Sequence, residues 1–461
     1  MDCQGKFFHK NDLFGKKVLI MGTGISGIAA AKLLDGISDI TLYDANENLD
    51  AMEIRGKIKE DFRGRIVLGE FRSDMAADMD YVVLSPGVPA DLPEIDRLRD
   101  PGAKIIGEVE LAYQFERGHL LAITGTNGKT TTTALTGEII KTFYKDVFVV
   151  GNIGVPYTEM VLGTSKDSVT VAEVSSFQLE TIKDFRPFVS AITNITPDHL
   201  NRHHTMENYV SAKLAIARNQ TMEDICILNY EDGRLRAAGE KLACKVIWFS
   251  SERKLSEGFF LSGDEIIYVQ GGQENVLVNV NELNIIGRHN YENVMVAAAA
   301  AMALSIPVEC IRRALRAFRA VEHRIEYVAE KNGVKYYNDS KGTNPDASIK
   351  AVRAMTAKTF LIGGGYDKGS EYGEWIDSFE DRIKCLVLMG QTREKIAQAA
   401  REKGFHNIVL VGGMEEAVNY CQEHAQPGDA VLLSPCCASW GMFKNYEERG
   451  RIFKELVLAL P

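Results

Sequence analysis

No run in this sequence is long and apolar enough to cross a bilayer. The longest, residues 294–306, is alanine-rich and well short of the ~20 residues that a spanning helix needs. It reads as a buried helix. Residues 1–17 are polar, carry both signs of charge and lack the apolar core of an export signal, which points to a cytoplasmic chain with no membrane partner. The eight cysteines (Cys3, Cys226, Cys244, Cys310, Cys385, Cys421, Cys436 and Cys437) form no pair of CxxC motifs, so a structural zinc site is not expected. Without an export signal they are expected as reduced thiols, the adjacent Cys436 and Cys437 serving packing. There is no excess of positive charge either. The net charge of -10 argues against nucleic acid as a partner, although a local basic pocket for an anionic ligand stays open. No internal repeat or low-complexity tract is present.

At 461 residues, about three domains of roughly 150 residues are expected. Short apolar runs (KKVLIMG, DITLYD, YVVLSPG, HLLAITG, FVVGNIG, VTVAEV, VSAITNIT, KTFLIGGG, CLVLMG, NIVLVGG, AVLLSP) alternate with helical segments. Runs apolar on both faces suit parallel strands covered by helices, so the fold class is α/β, with ligands at the carboxyl ends of the strands. One boundary is placed near Gly107, after the turn at residues 100–102. Another is placed near Val321, after a helical run over 307–320. Residues 250–283 alternate and resemble a small antiparallel insertion.

The strongest chemical signal is LLAITGTNGKTTTT, residues 120–133. An apolar strand runs into Gly125, Thr126, Asn127, Gly128, Lys129, Thr130 and Thr131, and a helix follows. Glycines let backbone N–H groups turn toward phosphate oxygens, and the helix N-terminus adds a favourable dipole. Lys129 can bridge terminal phosphates, and the Thr130 hydroxyl can ligate Mg²⁺. Two residues separate the glycines, where the general phosphate loop has four.

A second glycine loop, Gly22, Gly24 and Gly27, follows the first strand. Asp44 ends the next strand about twenty residues on, where a ribose-binding acid would stand in a dinucleotide fold. A nicotinamide-dependent enzyme is one reading. With a phosphate loop downstream, a domain holding a nucleotide-linked substrate is more economical. Glu173 ends VTVAEV, placed to hold Mg²⁺ directly or through water. His199, at the end of another strand, is a metal ligand or a surface histidine. Lys213, read alone, is a solvated helix lysine.

Taken together these segments resemble the Mur ligases over essentially the whole chain. TGTNGKTT, Glu173 with SSFQLE, Asn194 with TPDHL, Lys213, and Arg288-His289-Asn290 with Asn293 recur in family order. NDSKGTNP (338–345), the Ser85-Pro86-Gly87 turn and the segment from LSP (433–435) to FKNYEERG (443–450) match the branch that adds D-glutamate. Its usual pattern has alanine at the place of Cys436 and aspartate at that of Gly441.

The resemblance implies three domains: an N-terminal Rossmann-like UDP-binding domain (1–107), a central P-loop-type ATPase domain (108–320) and a C-terminal Rossmann-like amino-acid-binding domain (321–461). It implies ATP and Mg²⁺, with UDP-N-acetylmuramoyl-L-alanine and D-glutamate as substrates, in peptidoglycan precursor synthesis by a monomer. Thr130 and Glu173 would hold one Mg²⁺; Glu173, His199 and a carbamylated Lys213 would hold a second. Lys129, His199 and Lys213 are the implied catalytic residues. The loop 125–131, Asn293, Arg324, Asp339 and Lys341 would contact ATP. Ser26, Asp44, Ala45, Asn46, Ser85, Asn152, Ser175 and Gln178 would surround the UDP-sugar, and Thr343, Lys368, Ser439 and Tyr446 the D-glutamate. The bland alternatives are a turn role for Asp339, surface charges at Arg324 and Lys368, and packing or capping by Ser439 and Tyr446.

Such an enzyme would phosphorylate a carboxylate to make it an acyl donor and exclude water from the product. Closure of the third domain on a hinge near Val321 is therefore expected. A folate polyglutamate ligase would share the ATP loop without the first glycine loop. A dehydrogenase would not need TGTNGKTT, and a nucleotide-binding regulator would not need two metals.

Overall fold

The computed structural model describes residues 10–461 apart from 73–74, 76–77, 100–101, 153 and 320. Cys3, most of the 1–17 segment, Asp100 and Pro101 of the first boundary turn, Ile153 of FVVGNIG, and Ala320 lie outside the described residues. No helix among the described residues is long and apolar enough to cross a membrane.

The apolar runs become three sheets. The first holds β1 (Lys17–Met21), β2 (Asp39–Asp44), β3 (Arg65–Leu68), β4 (Tyr81–Leu84) and β5 (Lys104–Gly107), in the order β3-β2-β1-β4-β5 and all parallel. The order reverses at β1, and there the first glycine loop leads into the helix Ile25–Leu34. Crevices at such reversals bind ligands.

The second sheet holds β6 (His119–Thr124), β7 (Val147–Gly151), β8 (Val169–Glu173), β9 (Val189–Ile192), β10 (Ile225–Asn229), β11 (Lys245–Ser250), β12 (Gly258–Ser262), β13 (Glu265–Gln270) and β14 (Gln273–Asn279). Its order is β14-β13-β12-β11-β10-β9-β6-β8-β7. The phosphate-loop strand β6 is buried between β8 and β9, both parallel to it. Residues 250–283, expected as a small antiparallel insertion, carry β12, β13 and β14, which continue this sheet beyond β11. Gly271 and Gly272, both at positive φ, make the two-residue link between β13 and β14, a geometry that suits a tight hairpin.

The third sheet holds β15 (Glu326–Lys331), β16 (Val334–Asn338), β17 (Thr359–Gly363), β18 (Ile383–Leu388), β19 (Ile408–Leu410) and β20 (Ala430–Leu433), in the order β15-β16-β20-β17-β18-β19. Only the β15–β16 pair is antiparallel. The alanine-rich run lies in the helix Arg288–Ala303, where Val294 to Ala301 are buried.

The chain forms two compact units: Met1–Ser262 with Ile267–Leu277 and Asn293–Ala314, and Gly263–Ile266 with Val278–Glu292 and Leu315–Pro461.

Candidate active site

In the first unit, the phosphate loop leaves β6 at Gly125 and enters the helix Lys129–Lys141. Gly125 (φ +146°) lies so close to Thr193 that a Cβ would run into its Oγ1. A Cβ on Gly128 (φ +88°) would stand 2.5 Å from Asn293 Oδ1. Both positions therefore need glycine for backbone and for space. The end of β9 braces the loop: Asn127 N donates to Asn194 Oδ1 (3.0 Å), Asn194 Nδ2 returns a bond to Asn127 O (3.0 Å), and Thr193 Oγ1 donates to Asn127 O (2.6 Å). Thr126 Oγ1 meets the Tyr209 hydroxyl at 3.0 Å. Thr132 Oγ1 donates to Asn293 Oδ1 (3.0 Å), so Asn293, 161 residues along the chain, does reach the loop helix. Thr130 and Thr131 are buried in the first helical turn.

Two lysines share one acceptor. Lys129 Nζ donates to Gly125 O and Thr126 O (2.9 Å each), and Lys213 Nζ donates to Gly125 O at 2.7 Å. Lys213, in the helix Met206–Leu214, is 2% exposed and lies over the Tyr209 ring, so it is not a solvated lysine. Burial, then the charge of Lys129, pulls its pKa from 10.5 down to about 6, against the opposing pull of Asp198 and Glu173. Glu173 is buried at the end of β8. Its Oε1 accepts from Asn152 Nδ2 (3.1 Å), and its Oε2 has no hydrogen-bond partner. A buried carboxylate oxygen without a partner, beside a hydroxyl-rich loop, fits a hard cation such as Mg²⁺. His199 has a half-exposed side chain, with Asp198 at 3.4 Å and the Phe177 ring edge-on at 5.0 Å.

In the first glycine loop, Asp44 accepts from Thr23 N (2.9 Å), Thr23 Oγ1 (2.7 Å) and Asn46 N (3.0 Å). Burial works to raise its pKa, but these bonds outweigh it and leave the carboxyl below its ordinary value. Ser85 packs on Gly22, where a Cβ would approach its Oγ to 2.8 Å. Ser26 lies in the first turn of the first helix, while Ala45 and Asn46 are exposed in the turn after β2. Ser175 and Gln178 form a reciprocal cap on the helix Ser176–Leu179. Arg202 bonds Pro86 O (3.3 Å), Val88 O (3.2 Å) and Glu180 Oε2 (2.9 Å), so it ties the turn after β4 to that helix.

In the second unit, the residues expected at ATP and D-glutamate gather at the carboxyl edge of the third sheet. Asp339 follows β16 and is buried; Ser434 Oγ donates to it at 2.7 Å. Burial raises its pKa to about 7, against Ser434 and the charges of Arg324 and Arg449. Lys341 lies 5.2 Å from the centre of the Tyr446 ring. Thr343 follows on the same loop, Lys368 stands after β17, and Ser439 is buried after β20. Arg449 is wholly buried and stitches this edge, donating to Ser340 Oγ (3.0 Å), Ser340 O (2.7 Å) and Cys437 O (3.1 Å). Cys436 sits at φ +59° and Gly441 at φ +84°. Among the described residues one trio, Glu322, His323 and Glu326, comes close enough to suggest a metal. Lys454 lies 3.0 Å from Glu322 and 2.5 Å from Glu326, so the cluster is an ion-pair network.

Motif and spacing assign no role to Asn194, Tyr209, Arg202 or Arg449. A faint signal existed for one: Thr193-Asn194 repeats the Thr126-Asn127 pair, and the two pairs bond each other.

A glycine-lysine loop that can receive a triphosphate, a buried acid beside it, and two further Rossmann-like sheets define the class: the chain belongs to the Mur ligase family. Family models match along it: "Mur ligase MurD-like, N-terminal domain" over residues 16–107, "Mur ligase middle domain" over 123–301 and "Mur ligase, glutamate ligase domain" over 323–437. Among relatives, the UDP-N-acetylmuramoylalanine–D-glutamate ligase of Lachnoclostridium phytofermentans is 61% identical over 451 residues, 97% of this chain and 99% of that protein. The protein of the same name from Clostridioides difficile is 46% identical over 448 residues, again 97% and 99%. Among solved structures, the MurC UDP-N-acetylmuramate–alanine ligase of Thermotoga maritima aligns over 96% of this chain and 99% of its own, at 19% identity and a TM-score of 0.60. MurF ligase from the same organism, solved with ADP, aligns over 98% and 97%, at 16% identity and a TM-score of 0.59. At these identities the structures speak for the fold alone.

Proposed function

We propose that this chain is an ATP-dependent ligase that joins D-glutamate to UDP-N-acetylmuramoyl-L-alanine through an acyl phosphate, in peptidoglycan precursor synthesis. The observation that carries the reading is the convergence of Lys129 and Lys213 on Gly125 O, beside the unpartnered Glu173 Oε2. The Lys129 ammonium and the buried Lys213 amine, held at one carbonyl of a phosphate loop beside an unpartnered carboxylate oxygen, are placed to meet a polyanion and its metal.

In this reading Lys129 turns from Gly125 O and Thr126 O to the terminal phosphates and offsets charge that builds during transfer. The backbone of residues 125–131 cradles the remaining phosphates, and Asn293 stays fixed to Thr132. Arg324, Asp339 and Lys341 contact the nucleotide, residues 1–107 take the UDP-sugar, and 321–461 take the amino acid. Ser26, Asp44, Ala45, Asn46, Ser85, Asn152, Ser175 and Gln178 face the UDP-sugar. Thr343, Lys368, Ser439 and Tyr446 face D-glutamate, Lys368 holding a carboxylate so that the amine is left to attack. Thr130, Glu173 and His199 supply donors for Mg²⁺, which when bound neutralises phosphate charge. Lys213 completes the set as a carbamate: its amine adds to CO₂, a proton leaves, and a cation becomes an anionic oxygen donor. Burial favours the neutral amine that this addition requires. ATP and UDP-linked substrates suit a cytoplasmic enzyme.

The test is phosphate release with UDP-N-acetylmuramoyl-L-alanine and a panel of amino acids. D-glutamate alone should support turnover, and Lys129→Ala should end it. Equal turnover with L-lysine or L-alanine would overturn the substrate assignment. Lys213→Ala should be inactive and partly rescued by small carboxylic acids; undiminished activity would remove the carbamate.

A further inference from the structure

Lys368, the residue assigned above to a carboxylate of the incoming amino acid, is exposed and stands on a loop that is otherwise pinned. Tyr366 N donates to Ala438 O at 2.9 Å, which bridges the loop after β17 to the loop after β20. Gly365 permits that approach, since a Cβ there would run into Ala438 O. Asp367 pairs with Lys395 at 3.2 Å, and its Oδ1 accepts from Gly369 N at 2.8 Å. What these bonds leave loose is the long Lys368 side chain itself.

One group addresses it. Lys368 Nζ lies 4.5 Å from the centre of the Trp440 ring, and Tyr366 meets the same ring edge-on at 5.5 Å. Trp440 is half exposed and directly follows Ser439, another residue assigned to the amino acid. Large apolar rings held half in solvent at the carboxyl edge of a sheet call for a reason. An acid beside Lys368 would also hold its ammonium, but it would neutralise the charge and repel an arriving carboxylate. An aromatic face holds the ammonium through its quadrupole and leaves its charge available. Among the described residues no ion pair to Lys368 is present.

We infer that Trp440, backed by Tyr366, is a positioning residue for Lys368: it keeps the ammonium oriented for the amino-acid carboxylate. The inference rests on the assignment of Lys368 to that carboxylate, and the experiment separates the two. Initial rates of the full-length ligase are measured for Trp440→Ala, Trp440→Phe, Trp440→Leu, Lys368→Ala and the double variant Trp440→Ala/Lys368→Ala.

Trp440→Ala should raise KM for D-glutamate about three- to fivefold, the size of an exposed cation–π contact, with kcat and KM for ATP unchanged within twofold. Trp440→Phe should recover most of the loss. Trp440→Leu, apolar but without a π face, should not. In the Lys368→Ala background Trp440→Ala should add nothing. If Lys368→Ala leaves KM for D-glutamate unchanged, the carboxylate assignment itself is wrong. If Lys368→Ala raises that KM but Trp440→Ala does not, or Leu rescues as well as Phe, or the two losses add, the positioning role is overturned.

Discussion

Replacing Lys213 by methionine should make the protein more stable while ending its ligase activity. The side chain is 2% exposed, and burial has drawn its pKa from 10.5 to about 6. Between those values the unfolded chain keeps a proton on Lys213 that the folded chain has given up. Stability therefore rises with pH across this window; the penalty is complete below about pH 6 and gone above 10.5. Each pH unit in the window is worth about 1.4 kcal/mol, so the lysine costs about 5 kcal/mol at pH 7 and about 2 kcal/mol at pH 9. Methionine removes that cost and gives up one hydrogen bond, worth about 1 kcal/mol. Gly125 O is not orphaned, because Lys129 still donates to it. The expected gain is about 4 kcal/mol at pH 7, falling to about 1 kcal/mol at pH 9. Calorimetric unfolding in buffer free of nucleotide, Mg²⁺ and CO₂ should show the affected transition rising by about 10 °C at pH 7 and by a few degrees at pH 9. A variant with an unchanged transition, or an advantage that stays level or grows with pH, refutes the reasoning.

Gly125→Ala should cost about 1–3 kcal/mol in denaturant unfolding and abolish nucleotide binding by titration calorimetry, since its Cβ meets Thr193 Oγ1 at φ +146°. Gly24→Ala, with nothing within 4 Å of the new Cβ, should unfold like the parent. Arg449→Leu strips donors from Ser340 and Cys437 in a fully buried place. It should lower stability by about 3–5 kcal/mol in urea, and a parent-like midpoint would show that the guanidinium is not needed.

The sequence was readable where chemistry is local. Glycines after an apolar strand announce a phosphate loop because backbone freedom and strand ends are neighbours along the chain; Gly125 and Gly128 lie where expected. Burial made by distant segments left little trace. Lys213 sits in a polar run, MENYVSAKL, and its partner Gly125 is 88 residues away. Arg449 stands in an acidic, basic helix start that reads as surface, yet it bonds Ser340, 109 residues earlier. The strands after β11 alternate as free hairpins do, and nothing local says that they prolong a sheet. At Trp440 the ring's purpose emerges only when the loops after β17 and β20 are laid side by side.

The carbonyl oxygen of Gly125 works as a mooring for two lysine nitrogens, the Lys129 ammonium and the Lys213 amine. An anion that would claim Lys129 has to outbid two internal acceptors, and a small singly charged ion offers little more than those carbonyls already do. Only a visitor carrying several charges in a row can draw Lys129 away, so the loop screens its callers before any chemistry begins.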